Sequence, residues 1–191
     1  RRQRHLLGRE IEKAYPAAAG VVRGCNPPDG IPVEGDAVDA RSLVEGYTWV
    51  WPFVWPRRLL VRELCGYEAG VANSLYLRPL VALECDGTIK ACWGHERDHA
   101  TWEPVAGGFL AALAARNDLP KLVALKVEPI RATADHLIRF ADTPLGLRLE
   151  ELRLRVEFAD GGRGDLIAFH SNTAAEIHTF VARYGDRLSL A

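Results

Sequence analysis

Two histidines and a glutamate fall within the short segment His95-Glu96-Arg97-Asp98-His99, which matches the metal-binding pattern H-E-x-x-H. On a helix, histidines four positions apart share one face and can hold Zn²⁺, while the glutamate acts on the metal-bound water. His95 and His99 are therefore candidate zinc ligands. Glu96 is the candidate catalytic residue of a zinc-dependent hydrolase.

The surroundings of this segment favour a polar loop over a zinc site. A predicted strand ends directly before Gly94, and Pro104 closes the segment, so little room is left for a helix. A third ligand would also be needed, and the sequence does not choose among the candidates Asp98, Glu103, His136, His170 and His178. Zinc hydrolysis is therefore the alternative hypothesis, and the leading one involves no cofactor.

The stretch from Leu75 to Leu113 contains this segment and predicts a strand, a turn, a second strand, a polar loop and a helix. Asp86-Gly87 separates two runs rich in β-forming residues, which is a typical sequence for a two-residue hairpin turn. Phe109, Leu110 and Leu113 are spaced to share one face of the helix that follows.

An aromatic run precedes this stretch and has two interpretations, a buried core face and a binding surface. Trp49, Trp51, Phe53 and Trp55 alternate as they would on one face of a strand, and the intervening prolines favour an edge strand or an extended loop. A core face capped by the prolines is the favoured interpretation, and a binding surface for an extended partner or ligand is the alternative. The candidate binding residues are tryptophans and flanking arginines: Trp49, Trp51, Trp55, Arg57, Arg58, Trp93 and Trp102.

The remaining chain predicts strands and helices without regular βαβ alternation. A strand is expected over 122–127, a long bulged strand over 147–158, and a return strand over 165–170 after a turn at 161–164. Thr173 and Glu176 form a predicted capping box for a last helix, whose stripe includes Ile177 and Phe180. We find no internal repeat. The pattern predicts an α+β fold with a largely antiparallel sheet and flanking helices.

The central stretch resembles the SMI1/KNR4-like family of the SUKH superfamily. The resemblance rests on the segments 83–89, 93–96 and 102–106 and on the helix around Phe109-Leu110. It implies an α+β binding domain without catalytic residues, of the kind found among bacterial immunity and interaction proteins. The resemblance covers residues 5–115 at most. We predict a domain of this kind over residues 1–118, with residues 119–191 as a C-terminal hairpin-and-helix extension packed with it as one unit.

The composition restricts which kinds of partner the protein can bind and which cellular compartment suits it. The formal net charge is −1, so no basic field would recruit nucleic acid or an anionic membrane. The uncharged run from Gly46 to Pro56 is too short to cross a bilayer, which takes about 20 residues. Four cysteines without C-x-x-C spacing suit buried thiols in a reducing compartment. The sequence thus predicts a cytoplasmic, non-enzymatic protein-binding module whose partner is another protein.

Overall fold

The computed structural model describes residues 36–44, 57–90, 101–170 and 172–188. Within these residues the strands form one seven-stranded sheet and one separate two-stranded sheet. No helix in this part of the chain is long and apolar enough to cross a lipid bilayer.

The large sheet is built from short strands of regularly alternating burial. Its members in chain order are β1 (Asp36–Asp39), β2 (Arg58–Arg62), β3 (Ala82–Asp86), β6 (Val105–Ala106), β7 (Ala124–Arg131), β8 (Glu151–Glu157) and β9 (Arg163–Phe169). The small antiparallel sheet pairs β4 (Thr88–Lys90) with β5 (Thr101–Glu103).

Strands of the large sheet follow one another in the order β1-β2-β3-β7-β8-β9. Every pairing from β1 to β8 is parallel, and only the last strand, β9, runs antiparallel to its neighbour. The short β6 lies parallel to β7 beyond the part of β7 that pairs with β3.

The predicted α+β fold with a largely antiparallel sheet is therefore wrong, since the protein has an α/β fold. Parallel neighbours need a connection that carries the chain back to the starting edge of the sheet, and helices commonly make it. Helices stand between β3 and β7 and between β7 and β8, as they do between the earlier parallel strands.

The predicted hairpin turn at Asp86-Gly87 is also wrong. β3 pairs with β2 on one side and β7 on the other, and β4 pairs with β5 instead. Gly87 does not have a positive φ, and its N–H donates to the carbonyl oxygen of Glu128 at 3.0 Å. A glycine is required for another reason: a Cβ at this position would lie 2.3 Å from the Glu103 carbonyl oxygen.

Six helices belong to the described residues and cover the buried side of the sheet. The predicted stripe of Phe109, Leu110 and Leu113 is confirmed, because all three side chains are buried on one of these helices. The helices are α1 (Ala40–Val44), α2 (Glu68–Ala72), α3 (Gly108–Ala114), α4 (Ala134–Ala141), α5 (Pro144–Arg148) and α6 (Thr173–Tyr184).

The last helix, α6, packs as predicted but begins differently. Ile177 and Phe180 are buried, which confirms the apolar stripe. The capping box at Thr173 is wrong, because the helix is preceded by Asn172 and has no side-chain cap. Thr173 is itself buried, and its hydroxyl donates to the Leu149 carbonyl oxygen at 3.4 Å.

Three of the parallel strands share a repeating unit. Leu80, Leu122 and Leu149 are each fully buried and stand three residues before the buried leucines Leu83, Leu125 and Leu152. Another buried apolar residue follows two positions later in each case. This L-x-x-L-x-(L/V/C) spacing resembles that of leucine-rich repeat units, in which a strand and a helix stack against the next copy. The expectation of no internal repeat is therefore wrong.

The sheet also crosses the predicted boundary at residue 118. β7, from the predicted C-terminal extension, pairs directly with β3. The single long strand expected over 147–158 is replaced by α5 and β8, which are separate elements.

Candidate functional site

One face of the sheet is buried beneath the helices. Two rows of apolar residues cross five strands on this face, and each of their side chains is at most 2% exposed. The first row contains Leu59, Leu83, Leu125, Leu152 and Ala168, and the second contains Val61, Cys85, Val127, Leu154 and Leu166. Successive strand residues point to opposite faces, so the residues between these must lie on the other side.

The opposite side of the same five strands, called here the open face, carries half-buried and exposed side chains. Basic, acidic and apolar residues are equally represented on it. Two rows follow from the strand register: Arg58, Ala82, Ala124, Glu151 and Phe169; then Leu60, Glu84, Lys126, Arg153 and Ile167. A third row continues the alternation of the same strands and contains Arg62, Asp86, Glu128, Arg155 and Asp165.

A chain of charge pairs runs across the open face from β3 to β9. Lys126 forms an ion pair with Glu84 and lies 3.5 Å from the Glu128 carboxylate. Arg155 reaches Glu128 at 3.9 Å and donates from Nε to Asp165 at 3.1 Å. The hydrogen bond to Glu84 raises the pKa of Lys126, so this lysine is charged at neutral pH.

Asp86 stands beside this chain of charge pairs without joining it. Its carboxylate has no hydrogen bond or ion pair within the part of the chain that the structure describes. Burial raises the pKa of Asp86, and the negative charge of Glu84 raises it further. The positive charges of Lys126 and Arg62 lower the pKa of Asp86, but the net shift is still upward. Folding therefore disfavours the charged form of the Asp86 carboxyl.

The β9 end of the open face is apolar and lies at the edge of the sheet. Ile167 is 47% exposed and Phe169 is 44% exposed, although both are large hydrophobic residues. The guanidinium of Arg153 lies over the Phe169 ring, 5.5 Å from its centroid, and also donates to Glu151 at 2.6 Å. An arginine placed over an exposed aromatic ring is a typical contact residue at protein interfaces.

Of the predicted binding residues, two arginines fall within the described strands and loops. Arg58 is exposed and begins β2 on the open face. Arg57 precedes it, and its carbonyl oxygen accepts hydrogen bonds from Val81 and Ala82. Trp102 belongs to β5, opposite Ile89. The other predicted binding residues, Trp49, Trp51, Trp55 and Trp93, lie outside the described residues.

The H-E-x-x-H segment, with His95, Glu96 and His99, also lies outside the described residues. It belongs to the connection between the paired strands β4 and β5. Among the possible third ligands, His136 accepts the backbone N–H of Thr133 on Nδ1 at 3.3 Å and closes a capping box at the start of α4. That histidine therefore has a structural role at the end of a helix.

Most of the open face was missed by the sequence interpretation. Alternation of charged and apolar residues is visible in Leu83 to Asp86 and in Leu152 to Arg155. Each run predicts a strand with one covered face, but no single run shows that the polar sides adjoin. No protein-family model matches this chain, and no curated protein or solved structure matches it either.

Proposed function

We propose that this protein is a non-enzymatic protein-binding module whose partner docks on the open face. The observation that carries the proposal is the contrast between the two faces of the same strands. One is a continuous aliphatic layer beneath the helices, and the other combines exposed apolar residues with ordered ion pairs. Parallel sheets are usually covered on both faces, and the described residues bury only one face of this sheet, so we infer that a partner covers the other.

The rigidity of the sheet supports this role. Four of the five open-face strands are paired on both sides, and only β9 lies at the edge of the described sheet. Stacked strand-and-helix units commonly present extended binding surfaces of this kind. A partner would therefore meet side chains that are already positioned, and little ordering entropy would be lost on binding.

The composition of the open face favours a protein over a nucleic acid. Its five basic residues are matched by five acidic ones: Arg58, Arg62, Lys126, Arg153 and Arg155 against Glu84, Asp86, Glu128, Glu151 and Asp165. Binding to phosphates needs an excess of positive charge. The three rows also contain no histidine, cysteine, serine, threonine or tyrosine, so the only side chains there that form covalent intermediates in enzymes are carboxylates and one lysine. A role in immunity stays a prediction from the family resemblance.

The test compares one arginine reversal on the open face with a matched reversal on a helix. Arg153→Glu removes an ion pair with Glu151, and Arg139→Glu removes one with Asp135 on α4. Both arginines are exposed, so each loss should cost less than about 1 kcal/mol of stability. Circular dichroism and urea melts would verify that both variants fold.

Affinity capture from the native cell extract, quantified by mass spectrometry, supplies the readout. The partner should be retained by the wild type and by Arg139→Glu, and reduced by about tenfold or more with Arg153→Glu, which corresponds to about 1.4 kcal/mol. A photo-crosslinking residue at Leu60 should capture the same partner, whereas one at Leu147, on α5, should not. Equal retention by both arginine variants would refute the proposal.

A further inference from the structure

The outer edge of β9 has hydrogen-bonding groups that no described residue satisfies. His170 donates to the Glu150 carbonyl oxygen and Phe158 donates to the Gly162 carbonyl oxygen, both at 2.8 Å. Even-numbered residues of this strand therefore face β8. In an antiparallel ladder the alternate residues point their N–H and C=O groups the other way. Arg163, Asp165, Ile167 and Phe169 thus face outward.

The structure describes almost no partner for these outward groups. β9 is the last strand of the sheet, and the one hydrogen bond found for them is from the Asn172 N–H to the Phe169 carbonyl oxygen at 3.3 Å. β9 is seven residues long and contains neither proline nor lysine, which commonly protect such edges. An unprotected edge of this length is a template for another strand.

The side chains along this edge define what can pair with it. The residues with outward backbone groups also have exposed side chains on the open face. Ile167 and Phe169 form an apolar half. Arg163 begins the other half, and no ion pair to it is present among the described residues, whereas Asp165 is bound by Arg155. The edge is therefore apolar at one end and has an available positive charge at the other.

We propose that an extended segment of the protein partner adds to the sheet as an antiparallel strand beside β9. The segment would place apolar side chains opposite Phe169 and Ile167 and an acidic side chain opposite Arg163. Antiparallel pairing is favoured because it is slightly more stable per residue than parallel pairing. Main-chain hydrogen bonds would supply affinity, and the alternate side chains would supply specificity. This inference deepens the proposed function and rests on it.

A tethered peptide tests the edge without knowledge of the natural partner. The probe is a seven-residue peptide with valine opposite Phe169 and Ile167, lysine opposite Asp165, glutamate opposite Arg163 and threonine between them. A flexible glycine-serine linker from the C-terminus of the full chain would raise its local concentration to about the millimolar range. The control is the same fusion with N-methyl groups on the peptide residues that face β9.

Hydrogen exchange of the Asp165, Ile167 and Phe169 amides is the measurement. These amides should exchange at least about tenfold more slowly in the fusion than in the N-methylated control. Ile167→Lys together with Phe169→Lys should abolish the slowing, whereas Leu147→Lys, at a residue of similar exposure on α5, should not.

Two results would overturn the edge proposal. One is exchange at the same rate in both fusions. The other is slow exchange in the untethered protein that depends on protein concentration, which would show that a second copy of the chain occupies the edge. Either result leaves the proposed function intact if Arg153→Glu still loses the natural partner. The proposed function itself would be refuted if Arg153→Glu and Arg139→Glu retained the partner equally.

Discussion

Leu125→Ala should destabilise the protein by about 3–4 kcal/mol. Leu125 occupies the central strand β7, between Leu83 and Leu152, and is 1% exposed. The substitution removes three carbon atoms, which accounts for about 2.4 kcal/mol at about 0.8 kcal/mol for each buried methylene. A cavity term is added because fixed parallel neighbours on both sides prevent the site from collapsing, and measured losses for buried leucines are about 2.7–5.0 kcal/mol.

Equilibrium urea unfolding, followed by circular dichroism, measures this loss. With a slope of about 2 kcal/mol per molar urea, the midpoint should fall by about 1.5–2 M, and the slope should not change. Leu147→Ala is the matched control, since Leu147 is 57% exposed on α5. The free energy of unfolding of this variant should differ from the wild-type value by no more than about 0.5 kcal/mol. Equal midpoints for the two variants would refute the placement of β7 at the centre of the core.

Three further predictions test other parts of the chain. Gly87→Ala should cost about 1–3 kcal/mol in a urea melt, because its Cβ would approach the Glu103 carbonyl oxygen to 2.3 Å; an unchanged midpoint would contradict that close approach. Asp86→Asn should stabilise the protein at pH 7 but not below about pH 4. Folding raises the pKa of Asp86 above 3.8, so the stability that the protonated carboxyl contributes is lost as pH rises through that raised pKa. A difference between Asp86→Asn and the wild type that is equally large at both pH values would refute this. Zinc analysis of purified protein should find well under one equivalent, because the segment before Pro104 leaves little room for a helix; stoichiometric zinc that disappears in both His95→Ala and His99→Ala would favour the hydrolase.

Local features of the fold could be predicted from the sequence. The stripes on α3 and α6 follow from apolar residues at helical spacing, because a helix that packs on one side must bury that side. The return of the chain from β8 to β9 follows from Gly161, Gly162 and Gly164, and Gly161 does have a positive φ of 81°. In each case the partners are close in the sequence, so a local pattern determines the contact.

Strand partners could not be predicted in the same way. The alternation in Leu83 to Asp86 indicates a strand with one buried face, but β2 and β7 are both distant in sequence. Asp86-Gly87 resembles a hairpin turn because the same two residues suit a tight turn and a close backbone approach. The observed requirement comes from Glu103, whose carbonyl oxygen leaves no space for a side chain. That neighbour is set by tertiary packing and not by the local sequence.

The repeating unit was hidden by an insertion and by a short helix. β4, β5 and β6 stand between β3 and β7, so the spacing between equivalent leucines is irregular. Thr143-Pro144 could have indicated the start of α5, since the threonine hydroxyl accepts the Gly146 N–H at 3.1 Å and proline suits the first turn. Treating Leu147 and Leu149 as one strand with β8 obscured the third copy of the unit.

The pairing of charges on the open face determines where binding energy can arise. Lys126, Arg153 and Arg155 already have carboxylate partners within the sheet. A partner that approaches them must share those contacts or displace them, and the net gain from each is small. Because basic and acidic residues are balanced, long-range steering also contributes little to the association rate. Burial of Phe169 and Ile167, by contrast, removes exposed apolar surface from water and displaces no existing ion pair. If the proposed function holds, the charges would therefore select among partners, while the apolar end of β9 would supply most of the affinity.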